Sequence, residues 1–415
     1  LQLERVQLFF PSSMPAADFV AAASAIAISQ TVKKLELSLI TQSLPQITIR
    51  LWWTWLAYAL FSKRAHSSLE CIEIVKVHHV TIADMEKFTQ VLSAEHPEEK
   101  LFDSPHGESE EKLATLARGA TIRWQFNYRG EPLPGFEPLL FPFSVPSVLT
   151  FSDDGVSEWV NVLIPGYGRG QVQRVNLQFR ESSEVKANTR LKSLKIGFNN
   201  ESNSITNGIP LLLTAVGHSL NRLTLDGRNL DIDICTILRS CPNLVELSLC
   251  GAVADVLLKF GNYCGLLQPF SEVDLDWNNV IALSQTLSND NNPLAKCVHH
   301  LRVRPVSDAE LNALLDMLKQ NLTLKYVEIT IPAQFQRHIE NFRKFNLQPT
   351  HHTMKLSLKS KAAFISAVEE NQTGSYQQRS PVSELSQELL CKIFTFAVSP
   401  VRRQVFVRSE HAYVG

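Results

Sequence analysis

From Leu191 onward the apolar residues fall on a ladder of the form L-x-x-L-x-L. Its steps are Leu191-Leu194-Ile196, Leu220-Leu223-Leu225, Leu244-Leu247-Leu249, Phe270-Val273-Leu275, Val298-Leu301-Val303 and Leu324-Val327-Ile329. Val172-Val175-Leu177 fits as an earlier step, and Leu356 with Leu358 as a weaker last one. After a short first interval of 19 residues, successive starts lie 24 to 29 residues apart, at 191, 220, 244, 270, 298 and 324. A period in that range marks a stacked unit of one short strand and one return segment. Alternate strand residues point inward, and no single unit can bury them alone. The same step occurs at Leu3-Val6-Leu8, at Val32-Leu35-Leu37 and, after a longer interval of 37, at Leu69-Ile72-Ile74.

Between steps the pattern changes to helical spacing. Ser307 and Glu310 form a capping box, and Leu311, Leu314, Leu315 and Leu318 follow on one helix face. Ile232–Arg239 and Val280–Leu287 have the same character. Strand and helix in alternation predict an α/β protein with a parallel sheet.

The ladder and its period resemble the leucine-rich repeat, in its ribonuclease-inhibitor-like and cysteine-containing classes. That resemblance implies a right-handed solenoid, a curved horseshoe with a parallel sheet on the concave face and helices on the convex face. It also gives Asn199 and Asn278 a role, since they stand where such repeats use Asn to hold backbone groups at the turn leaving the strand; Arg228, Ala252, Val306 and Pro332 occupy that place in other steps. Three strings, Trp55–Arg64, Trp159–Arg174 and Ile393–Val405, are similar to a large leucine-rich-repeat family of oomycetes. This second resemblance spans nearly the whole chain and implies a non-catalytic repeat protein. It carries no functional residues over to this sequence.

Five segments follow from the pattern. Residues 1–94 hold irregular N-terminal repeats; because Leu3 already lies on a step and position 1 is not Met, a truncated start is expected. Residues 95–171 form an irregular insertion with worn repeats, with a polar run from Glu95 to Arg118, a proline-rich loop at Pro132–Pro146, and strand-like Ile122–Phe126 and Val148–Phe151. Regular repeats cover 172–370, a polar linker 371–381, and a C-terminal segment 382–415. The apolar run Leu51–Phe61 is too short to span a bilayer, which leaves a buried outer-face helix or an amphipathic surface anchor. Gly166-Tyr-Gly-Arg-Gly170 precedes a strand rather than a helix, so a turn is predicted instead of a phosphate loop.

The C-terminal segment offers two readings. Leu385-Ser-Gln-Glu-Leu-Leu-Cys-Lys-Ile-Phe394 resembles the opening of an F-box, with Ser386 at the usual proline, which implies docking to a ubiquitin-ligase adaptor and a role as substrate receptor. Alternatively Leu385, Leu389, Ile393 and Phe396 form the apolar face of a helix that caps the last repeat.

Composition narrows the function. Lys and Arg total 40 against 41 Asp and Glu in 415 residues, so no global basic field recruits nucleic acid. Seven scattered cysteines fit neither a secreted disulfide framework nor a zinc site, which points to reduced thiols in a cytoplasmic or nuclear compartment. Sequons at Asn200, Asn321 and Asn371 are too few to argue for secretion. Adjacent histidines at 78–79, 299–300 and 351–352 would face opposite sides of a strand and cannot share a metal. With no nucleophile elbow, Walker loop or paired-Cys spacing, the chain is expected to lack enzymatic activity, cofactor and metal; an enzyme with an unrecognised site is the remaining alternative.

A protein partner on the strand face is therefore expected. The outward positions two, four and six places after each step's start include Arg222, Asp226, Glu246, Glu272, Asp274, Asp276, Arg302, Arg304 and Tyr326. They run from an acidic middle to a basic step beside His300. At about 4.8 Å per strand the seven steps would span about 30 Å.

Overall fold

The computed structural model describes residues 4–62, 65, 67–102, 112–124, 137–180, 191–199, 204–228, 230–261, 275–353, 359–363, 389, 392–394 and 400–410. The protein is mixed α/β. It divides into two compact units, Leu1–Ala252 with Lys259–Asp274, and Val253–Leu258 with Leu275–Gly415.

In the first unit, strands β1 (Arg5–Phe10), β2 (Lys34–Leu39) and β3 (Cys71–Val77) alternate with helices α1 (Ala16–Ile28), α2 (Gln46–Leu56) and α3 (Ile82–Ser93). The short α4 (Pro97–Phe102) leads into seven strands: β4 (Leu113–Leu116), β5 (Thr121–Arg123), β6 (Leu139–Leu140), β7 (Val145–Thr150), β8 (Trp159–Ile164), β9 (Gly168–Gln173) and β10 (Leu177–Phe179). Alternation then resumes with β11 (Ser193–Phe198), α5 (Ile209–Val216), β12 (Arg222–Asp226), α6 (Ile234–Ser240) and β13 (Glu246–Cys250).

Strands β1, β2, β3, β11, β12 and β13 pair in parallel in that order. Their ladder residues lie in one row: Leu35 faces Ile72, Ile72 faces Leu194, Leu194 faces Leu223, and Leu223 faces Leu247. All five are at most 2% exposed, and each contributes about 2 kcal/mol by leaving water. The helices stack in the same sequence, α2 on α3, α3 on α5 and α5 on α6. One backbone approach requires glycine. A Cβ on Gly208 would lie 2.5 Å from the Thr81 carbonyl oxygen and 2.8 Å from that of Val80. Asp84 ties the helix layer together: it is fully buried and accepts from the Gln46 side chain at 2.9 and 2.8 Å and from the Thr81 hydroxyl at 2.6 Å.

The seven inserted strands form their own antiparallel sheet, in the order β10-β4-β7-β8-β9-β5-β6, around a core that includes Ile122, Val148, Val160, Val162 and Val172. The step expected at Val172-Val175-Leu177 belongs to this sheet. Val172 pairs with Val160, Leu177 pairs with Leu116, and Val175 is 86% exposed on a short 3-10 turn. An interval of 19 residues was too short for a strand, a helix and a return, and the parallel ladder starts again at Leu191, beside β3. Ile122 and Val148 likewise sit on antiparallel strands and not on worn repeats. The glycine segment 166–170 is the β8–β9 hairpin, with Gly166 and Gly168 at φ of +78° and +85°. Ser24 of α1 clamps it, donating to the Ile164 carbonyl at 3.2 Å and accepting from the Gly166 N–H at 3.1 Å.

The tryptophan-rich run is α2 and a π-helical turn, Ala57–Phe61. Trp52, Trp53 and Trp55 are buried. Trp52 stacks on Phe19 at 4.5 Å, and Trp55 meets Phe102, which stacks on Phe151, the residue after β7 of the inserted sheet. Among the described residues no helix is long and apolar enough to cross a membrane.

The second unit contains β14 (Ala254–Lys259) up to Leu258, with Lys259 in the first unit, and then α7 (Val280–Ser288), α8 (Pro293–Cys297), β15 (Val298–Val303), α9 (Asp308–Gln320), β16 (Tyr326–Pro332), α10 (Ile339–Arg343), β17 (Pro349–Thr353), β18 (Pro400–Arg402) and β19 (Gln404–Glu410). β15, β16 and β19 are parallel, β14 runs antiparallel to β15, and β17 pairs with β18. Half of the expected capping box forms at α9: the Ser307 hydroxyl accepts from Glu310 N–H, whereas the Glu310 carboxylate accepts from the N–H of Val306, one residue before the N-cap. Phe270 and Val273 of one expected step, and Leu356 and Leu358 of the last, lie outside the described residues. So do Leu385 and Phe396 of the expected cap, whose Leu389 is 46% exposed. The strand that extends the sheet beyond β16 is β19, in register with Val405 opposite Val327 and Val407 opposite Ile329.

Arg403 anchors that strand. Its side chain is fully buried, and its guanidinium donates to the carbonyls of Leu324 at 3.2 Å, Leu318 at 2.9 Å and Asn321. Leu318 and Asn321 close α9, so the cation satisfies orphan carbonyls at the negative end of the helix. Asn321 completes the junction, donating to the Leu287 carbonyl at 2.8 Å and accepting from Thr323 and Leu324 N–H, each at 2.9 Å. Its sequon is consequently buried. Replacing Arg403 with Leu should remove about 3–5 kcal/mol of stability from the second unit, and Lys, which lacks the planar fork, should restore only part. Urea unfolding of the full chain measures both.

Candidate binding face

On each parallel strand the residues between ladder positions face away from the helices. In the first unit these place Arg5, Lys34, Cys71, Ser193, Arg222 and Glu246 in one row, and Gln7, Glu36, Glu73, Lys195, Thr224 and Ser248 in the next. Opposite charges pair across neighbouring strands: Arg5 with Glu36 at 3.4 Å and Lys195 with Glu73 at 3.7 Å. Glu246 meets Lys259 at 3.7 Å. Exposed pairs of this kind are worth little energetically. Their effect is to leave a mixed, near-neutral surface. Arg222, Asp226 and Glu246 thus occupy their expected outward positions.

The second unit gathers more. Glu328, on the central strand β16, is only 2% exposed yet lies on the outward row. Tyr326 OH donates to its Oε2 at 2.8 Å, Arg302 Nε approaches the same oxygen at 3.1 Å, and Arg408 Nε approaches Oε1 at 2.9 Å. Asp255 Oδ2 accepts from Arg302 at 3.3 Å and from Arg304 at 3.1 Å. Beside this network the rings of His300, Tyr326 and Phe406 form a row, at centroid distances of 5.5 and 5.3 Å. Phe406 is 48% exposed.

Protonation follows from the packing. Burial opposes the charged form of Glu328, but the hydrogen bonds from Tyr326 and Arg302 and the charges of Arg302 and Arg408 outweigh it and hold the carboxyl below its ordinary value. Burial, then the hydrogen bond to Glu328, raises the Tyr326 phenol. The Glu328 hydrogen bond raises Arg302 against the effect of burial. Glu328 is therefore a carboxylate at neutral pH, flanked by the guanidinium groups of Arg302 and Arg408.

Of the nine outward residues expected to bind, Arg302, Arg304 and Tyr326 meet here, while Arg222, Asp226 and Glu246 belong to the first unit. Glu272 and Asp274 lie outside the described residues. Asp276 is not on a strand: it lies in the turn before α7 and accepts from Asn278 N–H at 2.9 Å. Asn278 itself is exposed, and the Asn199 side chain meets the His78 ring at 3.0 Å. Glu328 also stands at an outward position, four places after Leu324, whereas Asp255, Phe406 and Arg408 follow no such pattern. A period-two search would have found β19, where Val405 and Val407 alternate with Phe406 and Arg408.

Other chemically suggestive groups are structural. His78 is buried, and the neighbouring His79 Nδ1 accepts from Ile205 N–H at 3.3 Å. Burial pushes the Cys241 thiol up to about 12 and that of Cys297 up to about 11; neither is a thiolate at neutral pH. Among the described residues no group of three or more His, Cys, Asp or Glu could hold a metal ion. No protein-family model matches the chain, and no curated protein matches it.

Because the folded value of Glu328 is depressed, its ionisation stabilises the fold fully above the unfolded carboxylate value, near ~4.3. That stability is lost as pH falls through the folded value. Glu328→Gln should cost about 1–2 kcal/mol at neutral pH, discounted because both arginines remain solvent-accessible. It should also flatten the decline in melting temperature below about pH 4, which a calorimetric pH series would reveal.

Proposed function

We propose that this chain is a leucine-rich-repeat-type solenoid that acts without catalysis, as a scaffold that binds a protein partner on the strand faces of its repeats. The observation that carries this reading is the in-register row from Leu35 to Leu247, one buried ladder residue per strand, with the intervening side chains left in solvent. An open row of outward side chains, one set per strand, is the surface that stacked repeats use for recognition. Tyr326 and the arginines of the second unit supply residue types that dominate binding energy at protein interfaces.

The likeness of residues 385–394 to the opening of an F-box supports a second reading, a substrate receptor that docks a ubiquitin-ligase adaptor, while the helical spacing of Leu385, Leu389, Ile393 and Phe396 equally suits a cap. On this reading Leu389→Asp abolishes co-purification of a ubiquitin-ligase adaptor and leaves the melting temperature unchanged. On the cap reading it lowers the melting temperature.

Affinity purification of the chain from its native cells should identify a partner, and paired variants then locate the contact. Arg222→Gln with Glu246→Gln alters the first strand face, Arg302→Gln with Arg304→Gln the second. Lys87→Glu with Lys319→Glu alters exposed helix positions. Loss of the partner from either strand-face pair, with retention by the helix pair, is the expected outcome. The reverse pattern would place binding on the helices and defeat the proposal.

A further inference from the structure

We propose that the β15–β16–β19 face of the second unit takes an acidic peptide segment, one carboxylate lodging between Arg302 and Arg408 and a neighbouring apolar side chain resting on Tyr326 and Phe406. This rests on the strand-face reading above and adds the chemistry of the partner.

The first reason is how the arginines are held. Arg302 and Arg408 reach Glu328 from the two strands that flank it, each through Nε. Arg302 uses one terminal nitrogen on Asp255. Among the described residues its Nη2, and both terminal nitrogens of Arg408, carry no bond to the protein. Their side chains remain 47% and 67% exposed. A guanidinium offers five N–H donors, and a carboxylate matches the spare pair on one edge. Glu328 lies beneath them at 2% exposure, its two oxygens already engaged by Arg302, Tyr326 and Arg408. It orders the two cations without competing from the surface, so a ligand meets donors whose side-chain entropy is already lost.

The second reason is the exposed ring. Phe406 lies in the same register row as Arg302 and Glu328. It packs against Tyr326, which gives the charged face one apolar platform. Free phosphate or acetate would use the arginines and ignore the ring; a peptide that alternates acidic and apolar side chains uses both. A nucleic acid also stacks on rings, but it draws its affinity from many neutralised phosphates. Among the described residues Arg302 and Arg408 share the single carboxylate of Glu328, and the whole chain carries a net charge of −1. Charge complementarity therefore favours a short acidic segment over a polyanion.

Fluorescence anisotropy of the full chain with a fluorescein-labelled Ser-Glu-Leu-Glu-Phe-Glu-Ser peptide tests this. The same peptide with Lys for Glu, and an oligothymidylate, serve as controls. The acidic peptide should bind at least roughly tenfold more tightly than either control. Arg408→Gln and Phe406→Ser, both at exposed positions, should each weaken it roughly tenfold with the circular dichroism spectrum unchanged. Equal binding of acidic and basic peptides would overturn the inference, as would tighter binding of the oligothymidylate or indifference to both substitutions. Should the purified partner still depend on Arg302 and Arg304 while this peptide fails to bind, the acidic chemistry falls and the strand-face reading stands.

Discussion

A strand and its following helix present more apolar surface than they can cover, so each ladder residue in the parallel rows is buried only because a neighbour lies on either side. The first unit is organised around that constraint. Leu194 is buried by Ile72 on one side and Leu223 on the other, although 122 positions separate 72 from 194 in the chain. What matters to Leu194 is the adjacent row, not the adjacent sequence. A whole antiparallel sheet can therefore interrupt one unit without disturbing the ladder, provided that the chain returns to the same edge in register. The strand pairing of Lys195 with Glu73 and of Ile196 with Ile74 shows that it does.

The same constraint makes the last strand a problem. β16 would expose one flank of Val327 and Ile329, and β19 covers it with Val405 and Val407. Sheet hydrogen bonds alone would hold a short terminal strand weakly. Arg403 supplies the missing attachment by satisfying the carbonyls at the end of α9, which itself packs on α7. Burial of that guanidinium is tolerated because every contact is to an oriented carbonyl, although desolvation still lowers its pKa. On the opposite side of the same strand, Arg408 pairs with Glu328. One terminal strand thus completes both the interior and the charged face.

Ladder residues were legible in the sequence because burial enforces them: Leu191, Leu220, Leu244 and Leu324 recur with their partners three and five positions on. Direction and order were not. V-x-x-V-x-L at Val172 satisfies the same spacing inside an antiparallel sheet, since alternation in one strand does not record which way its neighbour runs. β19 escaped for the opposite reason. The position in register with Leu324 is Arg402, so the ladder lacks its first step there and only the two valines remain. Outward residues were legible as positions but not as a site. The register that joins Arg302, Glu328 and Phe406 depends on β19, and Asp255 enters only through β14, which matches no ladder step.

The inserted sheet bears on where recognition can occur. An uninterrupted layer of helices would offer solvent a second broad surface, and α1 or α2 would be as available as the strands. Here the β8–β9 hairpin is clamped to α1 through Ser24, while Trp55 of α2 is closed off by Phe102 and Phe151. Trp52, Trp53 and Trp55 together expose almost nothing. In this part of the first unit the helices are committed to packing, which explains why a run as apolar as Leu51–Phe61 needs neither a membrane nor a partner. The rows from Arg5 to Glu246 and from Gln7 to Ser248 are mostly polar and partly exposed among the described residues. Several of their charges pair across strands, Arg5 with Glu36 and Lys195 with Glu73, so those positions add shape more than attraction. On the proposed reading, affinity then comes from residues that are ordered beforehand and only partly satisfied, as Glu328 orders Arg302 and Arg408.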